Sequence, residues 1–340
     1  MYRLDGKLAR IKSGGYKPQD FIIADAKDPD MGPGMAANGP HTEADGSSRR
    51  FRTREEFLEQ IAAIVEQDIV DIMLMSPANM ERLVGRGIFR GHGVKPAIRA
   101  NDTTDIWLLR GASYPQLPSR PFRTAWLSQV MYGLNDPVPG APVTGTDLGL
   151  YSVTFTNRLE DDIRSLEAFS RFREDASRCG FKYFLEVFNP NVDTGIPPAV
   201  LPHYINDCIQ RCLAGVLEAQ RPLFLKVAYN GPKALEEMAS YDPRLVVGLL
   251  GGSAGTTRDT FELLAQGQKY GARVALFGRK INLAESPLAI IRLMRAVLDG
   301  DVSPAEAVKA YHGELDKAKL KPKRPLAEDS AITEAVLEAA

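Results

Sequence analysis

The sequence predicts an α/β fold, a (β/α)8 TIM barrel with long loop insertions and a C-terminal extension. Three observations lead there. Eight short apolar runs alternate with helical stretches, and a chain that returns through a helix each time builds a parallel sheet. Eight strands close such a sheet into a cylinder, and 340 residues suit one barrel with insertions. An open, doubly wound sheet with a second domain would need a break in mid-chain, and the only candidate is the stretch 111–149. The barrel is therefore assigned to 1–315, with insertions at 26–50 and 111–149, and 316–340 to a C-terminal tail.

Residues 1–18 read as a leader packed on the outside of the first repeat. Phe21-Ile22-Ile23-Ala24 is the first strand, and the Gly-, Pro- and Ser-rich stretch 29–50 a long loop. Thr53 and Glu56 form a capping box that opens a helix to about Gln67. Ile69–Leu74 is the second strand, a helix covers Asn79–Gly85, and Lys95–Ala100 is the third strand. The stretch 111–149 holds six prolines and one short helix at Ala125–Tyr132, which marks it as an insertion or lid.

The rhythm then resumes. Leu150–Phe155 is the fourth strand, followed by a helix from Leu159 to Cys179 that Gly180 closes. Tyr183–Phe188 is the fifth strand, and Pro198–Ala219 is mostly helical. The sixth strand, from Pro222, carries one lysine, Lys226, and breaks at Asn230-Gly231. A helix at Pro232–Ser240, a seventh strand at Leu245–Leu250 and a Gly-rich turn at 251–256 come next. A helix at Thr257–Tyr270 leads to the eighth strand, Val274–Phe277. Helices from Pro287 to Gly300 and from Ser303 to about Tyr311 follow. Residues 316–326 read as a basic linker, and 329–340 as a loose terminal helix.

A net charge of −1 gives no pull toward nucleic acid or an anionic membrane surface. No apolar run reaches the length of a membrane span, and the first residues lack a signal-peptide core, so a cytoplasmic protein is expected. Cys179, Cys208 and Cys212 fit helix thiols in a reducing compartment, since no ligand pair completes a metal set. His41, His92, His203 and His312 show no metal spacing and are given no role.

In this fold chemistry sits where strands end, on the C-terminal face. The strand ends offer Asp25, Ser76, Arg99 with Asp102, Asn157 with Arg158, Glu186, Lys226, Gly251-Gly252-Ser253 and Gly278-Arg279. Lys226 lies in an apolar strand, where a lysine is either tied to a carboxylate or held for its chemistry as a nucleophilic amine. Alternation groups Lys226 with Ala228 and Asn230, and Glu186 with Phe184 and Phe188. A glutamate between two phenylalanines is expected to point inward, as proton shuttle or as ion-pair partner of Lys226. Asp25 shares a face with Ile23, and the plain alternative for it is a turn or a cap. Arg99 is open to binding an anion, to acting on the lysine, or to a salt bridge with Asp102. The glycines after strands seven and eight, with a helix N-terminus and the Arg279 fork, are expected to cradle a phosphate.

With these residues in place, the chain resembles the class I, Schiff-base-forming aldolases of the archaeal-type fructose-bisphosphate and bacterial tagatose-bisphosphate group. The resemblance is clearest over about 220–312, in Leu225-Lys226-Val227, Leu250-Gly251-Gly252 and Phe277-Gly278-Arg279. It extends more weakly to Ala24-Asp25 and Leu185-Glu186. It implies an imine on Lys226, proton transfer by Asp25 and Glu186, and a phosphate held by Gly251, Gly252, Ser253, Gly278 and Arg279. The chain departs from the group at Ala26-Lys27, where His-Gly follows the strand-one aspartate. It departs again at Lys280, where asparagine is usual, and in the two long insertions.

The resulting expectation is a lyase, a class I aldolase acting on a phosphorylated ketose without metal or organic cofactor. Its only expected partners are a phosphosugar and further copies in a homo-oligomer, with no nucleic acid and no membrane. The alternatives are a catalytically different or silent sugar-phosphate-binding barrel, isomerase- or decarboxylase-like or a scaffold, with Lys226 locked in an ion pair.

Overall fold

All eight apolar runs become parallel strands, and the last closes on the first. In the computed structural model, which describes residues 2–41, 47–48 and 50–338, the strands are β1 (Ile22–Lys27), β2 (Ile72–Met75), β3 (Lys95–Arg99), β4 (Leu148–Thr154), β5 (Lys182–Phe188), β6 (Leu225–Val227), β7 (Val247–Leu250) and β8 (Val274–Phe277). They form one closed barrel in sequence order. The chain is a (β/α)8 barrel.

Strand alternation divides the apolar residues into two cores. Ile22, Ala24, Ala26, Leu74, Leu150, Phe184 and Leu276 fill the cylinder. Ile23, Met73, Tyr151, Leu185, Leu225 and Phe277 face outward, against helices that supply Phe57, Phe169, Phe172, Phe261 and Ile291. Each fully buried side chain of this size contributes roughly 1.5–3 kcal/mol, so the register of every strand is strongly fixed.

The first helix corrects an expectation. α1 (Arg3–Lys12) does not pack outside the first repeat but lies across the N-terminal end of the barrel, where Leu4, Leu8 and Ile11 join the inner core. Lys7 Nζ donates to the Phe21 carbonyl at 3.1 Å and to Asp71 at 2.9 Å, and Arg3 N–H donates to the Gly93 carbonyl at 3.1 Å. All three partners lie at strand starts, so α1 closes the end opposite the C-terminal mouth of the barrel.

Around the barrel run α2 (Arg54–Gln67), α3 (Pro77–Gly85), α4 (Leu127–Tyr132), α5 (Leu159–Cys179), α6 (Leu201–Leu213), α7 (Pro232–Tyr241), α8 (Thr257–Lys269), α9 (Arg279–Asn282), α10 (Pro287–Asp299) and α11 (Pro304–Lys317). Capping boxes at Thr53, Thr256 and Ser303 start α2, α8 and α11, each worth about 1 kcal/mol. Among the described residues no helix is long and apolar enough to cross a membrane.

The insertions and the tail are more ordered than their composition suggests. β1 runs on to Lys27, and the loop after it holds 3-10 turns at Pro29–Met31 and Gly34–Asn38. Residues 42–46, in the same insertion, lie outside the described residues. Asp102–Thr103 pairs antiparallel with Pro121–Phe122, and Trp107 stacks on Tyr114 at 4.8 Å. The tail forms α12 (Leu326–Asp329) and α13 (Ala335–Glu338), fastened to α8. Asp259 accepts from the Thr333 N–H at 2.8 Å, and Gln266 Nε2 donates to the Leu337 carbonyl at 2.8 Å.

Candidate active site

Inside the barrel Phe184 and Phe224 stack with ring centroids 4.6 Å apart, which makes a dry floor. One inward position further along β5 and β6 stand Glu186 and Lys226, in register with each other. Only 1% of Glu186 and 6% of Lys226 is exposed, so neither charge has bulk water to screen it. Lys226 Nζ lies 2.5 Å from Glu186 Oε1. Room for the lysine comes from Gly248, its register partner on β7. A Cβ there would meet the Leu225 carbonyl oxygen at 2.6 Å and Val274 Cβ at 2.8 Å.

Glu186 is held from behind. Its Oε2 accepts from Ser152 Oγ at 2.7 Å and from Arg99 Nη2 at 3.3 Å. Arg99 also donates to Ser152 Oγ at 2.9 Å and to Asp28 Oδ2 at 2.5 Å. Burial opposes the Arg99 cation, but the charges of Asp28, Glu186 and Asp102 outweigh it and raise its pKa. The two carboxylates are thus bridged by one permanent cation, and Arg99 serves this bridge rather than an ion pair with Asp102 alone.

Above this layer opens a cavity of 390 Å³ at the C-terminal mouth of the barrel. Lys226, Glu186, Arg99, Gly251, Gly252, Gly278 and Arg279 all line it. Gly252 has φ +65°, a conformation that favours glycine, and a Cβ on Gly251 would touch the Phe277 ring at 3.0 Å. Backbone therefore forms this wall. Arg279 is exposed and makes no ion pair among the described residues. A larger cleft of 580 Å³, between α3 and Trp126, lies outside the barrel and shares none of these groups.

Two of the expected site residues lie elsewhere. Asp25 faces outward beside Ile23, fully buried under the helices, with Lys27 Nζ 3.6 Å away. Burial pushes its carboxyl up to about 6 against the pull of Lys27, and neither oxygen has a hydrogen bond. The inward positions of β1 are Ile22, Ala24 and Ala26, so the carboxylate that strand one brings to the cavity is Asp28. Ser253 turns away from the cavity, and its hydroxyl donates to Glu334 Oε1 at 3.2 Å. The same oxygen accepts from Lys280 Nζ at 3.0 Å.

The start of α8 is also spoken for. Thr256 N–H donates to Asp259 at 2.9 Å and Thr257 N–H to Asp329 Oδ1 at 2.8 Å. An anion in the cavity is left with the two glycine turns and Arg279, not with the α8 N-terminus. Sequence reasoning missed Asp28, Ser152 and Asn282; the first two were signalled by continuing the alternation Ala24, Ala26, Asp28 and Leu148, Leu150, Ser152. Among the described residues no three His, Cys, Asp or Glu side chains are grouped to hold a metal ion.

No protein-family model and no curated protein sequence matches the chain. Solved structures do match in fold. An archaeal fructose 1,6-bisphosphate aldolase superposes with a TM-score of 0.60 at 13% identity, over 87% of this chain and 99% of that one. An archaeal fructose-1,6-bisphosphate aldolase with its catalytic Lys covalently bound to the carbinolamine intermediate of the substrate gives 0.61 at 14%, over 87% and 99%. A fructose-bisphosphate aldolase from Slackia heliotrinireducens gives 0.61 at 14%, over 91% and 89%. At such identities the likeness is one of fold.

Proposed function

We propose that the protein is a lyase, a class I aldolase that cleaves or forms a carbon–carbon bond in a phosphorylated ketose through an imine on Lys226. The observation that carries this reading is the 2.5 Å contact of Lys226 Nζ with Glu186 Oε1, inside a cavity walled by two glycine turns. Among the described residues Lys226 is the only lysine lining that cavity, and a similar fold carries a carbinolamine on its catalytic lysine.

The steps balance with these groups. Glu186 takes the ammonium proton, and the free amine attacks the ketone carbon. The carbinolamine loses its hydroxyl as water, with a proton returned from Glu186, and becomes an iminium. Glu186 or Asp28 then removes the proton of the hydroxyl two carbons from the iminium carbon. The carbon–carbon bond breaks, an aldehyde leaves, and the electron pair settles as an enamine. Protonation of the enamine and addition of water release the ketone and restore the amine. The glycine turns and Arg279 hold the phosphate and orient the reacting end.

A silent binding protein would share the Lys226–Glu186 contact, so the test must be covalent. Incubation with dihydroxyacetone phosphate and borohydride, followed by peptide mapping, is expected to place one reduced adduct on the Lys226 peptide. Binding without an adduct rejects the aldolase.

A further inference from the structure

The cavity is not polar all round. Arg279 and the glycine turns follow β7 and β8. Diametrically across the cylinder, after β3, the wall is Ile106 and Leu108. Overhead runs the loop 29–40, which presents Pro33, Ala36, Ala37 and Pro40 to the cavity.

This roof is built rather than draped. Asp30 accepts from Ser76 Oγ at 2.6 Å and from Asn79 Nδ2 at 3.2 Å, which ties down its start. Arg52 Nη1 donates to the Asn38 carbonyl at 3.0 Å and Asn38 Nδ2 to the Arg52 carbonyl at 3.2 Å, which tie down its end. It abuts Ile106 on one side and Leu283 on the other: Cβ atoms built on Gly32 and Gly39 would lie 3.0 Å from the Ile106 carbonyl oxygen and 3.6 Å from the Leu283 side chain.

The polar groups on the floor are already committed. Arg99 is used by Asp28, Ser152 and Glu186, while Asn282 accepts from Lys27 Nζ at 3.3 Å through Oδ1 and donates through Nδ2 to the Ala37 carbonyl at 3.5 Å. Among the described residues that line the cavity, Arg279 is the one cation without an ion pair. Among the described residues that line the cavity, a second phosphate under the roof would meet Pro33, Ala36, Ala37 and Pro40 and no unpaired cation.

We infer that the substrate carries one anionic group, on its ketone half, and that the aldehyde half is an uncharged, apolar chain. The inference rests on the Schiff-base reading. In the synthetic direction the enamine carbon on Lys226 bonds to the aldehyde carbon, the aldehyde oxygen takes a proton, and water releases the product ketone. No oxidant or reductant takes part.

The experiment offers dihydroxyacetone phosphate as donor and compares butanal, hexanal and glyceraldehyde 3-phosphate as acceptors. The expected kcat/KM is at least tenfold higher for the apolar aldehydes, since one well-placed methylene is worth about tenfold or more. A preference for glyceraldehyde 3-phosphate, with the borohydride adduct still on Lys226, overturns this inference and leaves the aldolase standing. Absence of the adduct removes both. Ala36→Arg and, independently, Leu108→Arg should each move the ratio at least tenfold toward glyceraldehyde 3-phosphate. An unchanged ratio in variants that still form the adduct rejects the roof as the source of the preference.

Discussion

Glu186 divides its two oxygens: Oε1 lies 2.5 Å from Lys226 Nζ, while Oε2 is bonded to Ser152 Oγ at 2.7 Å and Arg99 at 3.3 Å. One oxygen anchors the carboxylate, and in the proposed reaction the other exchanges protons with the amine. Lys226→Met should therefore give no borohydride adduct at all. Glu186→Gln keeps the shape and the anchor but cannot accept a proton, and kcat should fall by about two to four powers of ten. A Glu186→Gln enzyme that cleaves its ketose at the original rate removes Glu186 from proton transfer.

The Asp25–Lys27 pair makes a prediction about stability instead of catalysis. Both side chains are fully buried on the outer face of β1, and burial lowers the Lys27 pKa although Asp25 opposes it. Removing one partner leaves a buried charge alone, so Lys27→Met should cost about 3–5 kcal/mol. Asp25→Leu together with Lys27→Met should fall within about 1 kcal/mol of the original protein or exceed it. Denaturant midpoints check this. Because the pair lies outside the cavity, the double variant should also keep the Lys226 adduct, and losing it would return Asp25 to the active site.

These two carboxylates show what sequence could and could not supply. Glu186 was legible because Phe184 and Phe188 flank it at the period of a strand, and no outward-facing strand position favours a charge between two such rings. Asp25 misled because Asp25-Ala26-Lys27-Asp28 offers charges on both faces, so alternation alone did not say which face turns inward. The cylinder decides it: small Ala24 and Ala26 fit the crowded interior, and the next inward position is Asp28. Barrel closure was legible from the count of runs. The position of α1 and the grip of the tail were not, since both depend on contacts with residues far away in the chain.

That grip has a measurable consequence. Lys280 Nζ is completely buried, and burial lowers its pKa while Glu334, from the tail, opposes the shift. Glu334→Ala should destabilise the protein by about 2–3 kcal/mol, less than a fully buried pair because Glu334 is partly exposed. Lys280→Met in the same chain should recover most of that loss. The Glu334 carboxylate also receives the Ser253 hydroxyl at 3.2 Å, so the single variant should need more dihydroxyacetone phosphate for half-maximal adduct formation. Equal effects of Glu334→Ala with and without Lys280 would disprove the coupling.

Asp102 gives the fold its clearest pH signature. Burial pushes its carboxyl up to about 7, with Arg99 opposing and Asp28 and Asp30 adding to the rise. Its Oδ1 has no hydrogen-bond partner. Below about pH 4 the group is protonated in both the folded and the unfolded chain and contributes no difference. Between about pH 4 and 7 the unfolded chain releases the proton while the folded chain keeps it, so stability declines by up to about 1.4 kcal/mol per pH unit. Above pH 7 the penalty is constant. Asp25, raised to about 6, and Asp30, also raised by burial, add declines of the same sign, so the difference between the original protein and an Asp102 variant isolates Asp102. Asp102→Asn should make the decline shallower and leave the protein more stable than the original at pH 8, by an amount on the order of a few kcal/mol. Urea midpoints measured at pH 5, 6, 7 and 8 test it, and parallel curves for the two proteins would show that Asp102 is ionised throughout.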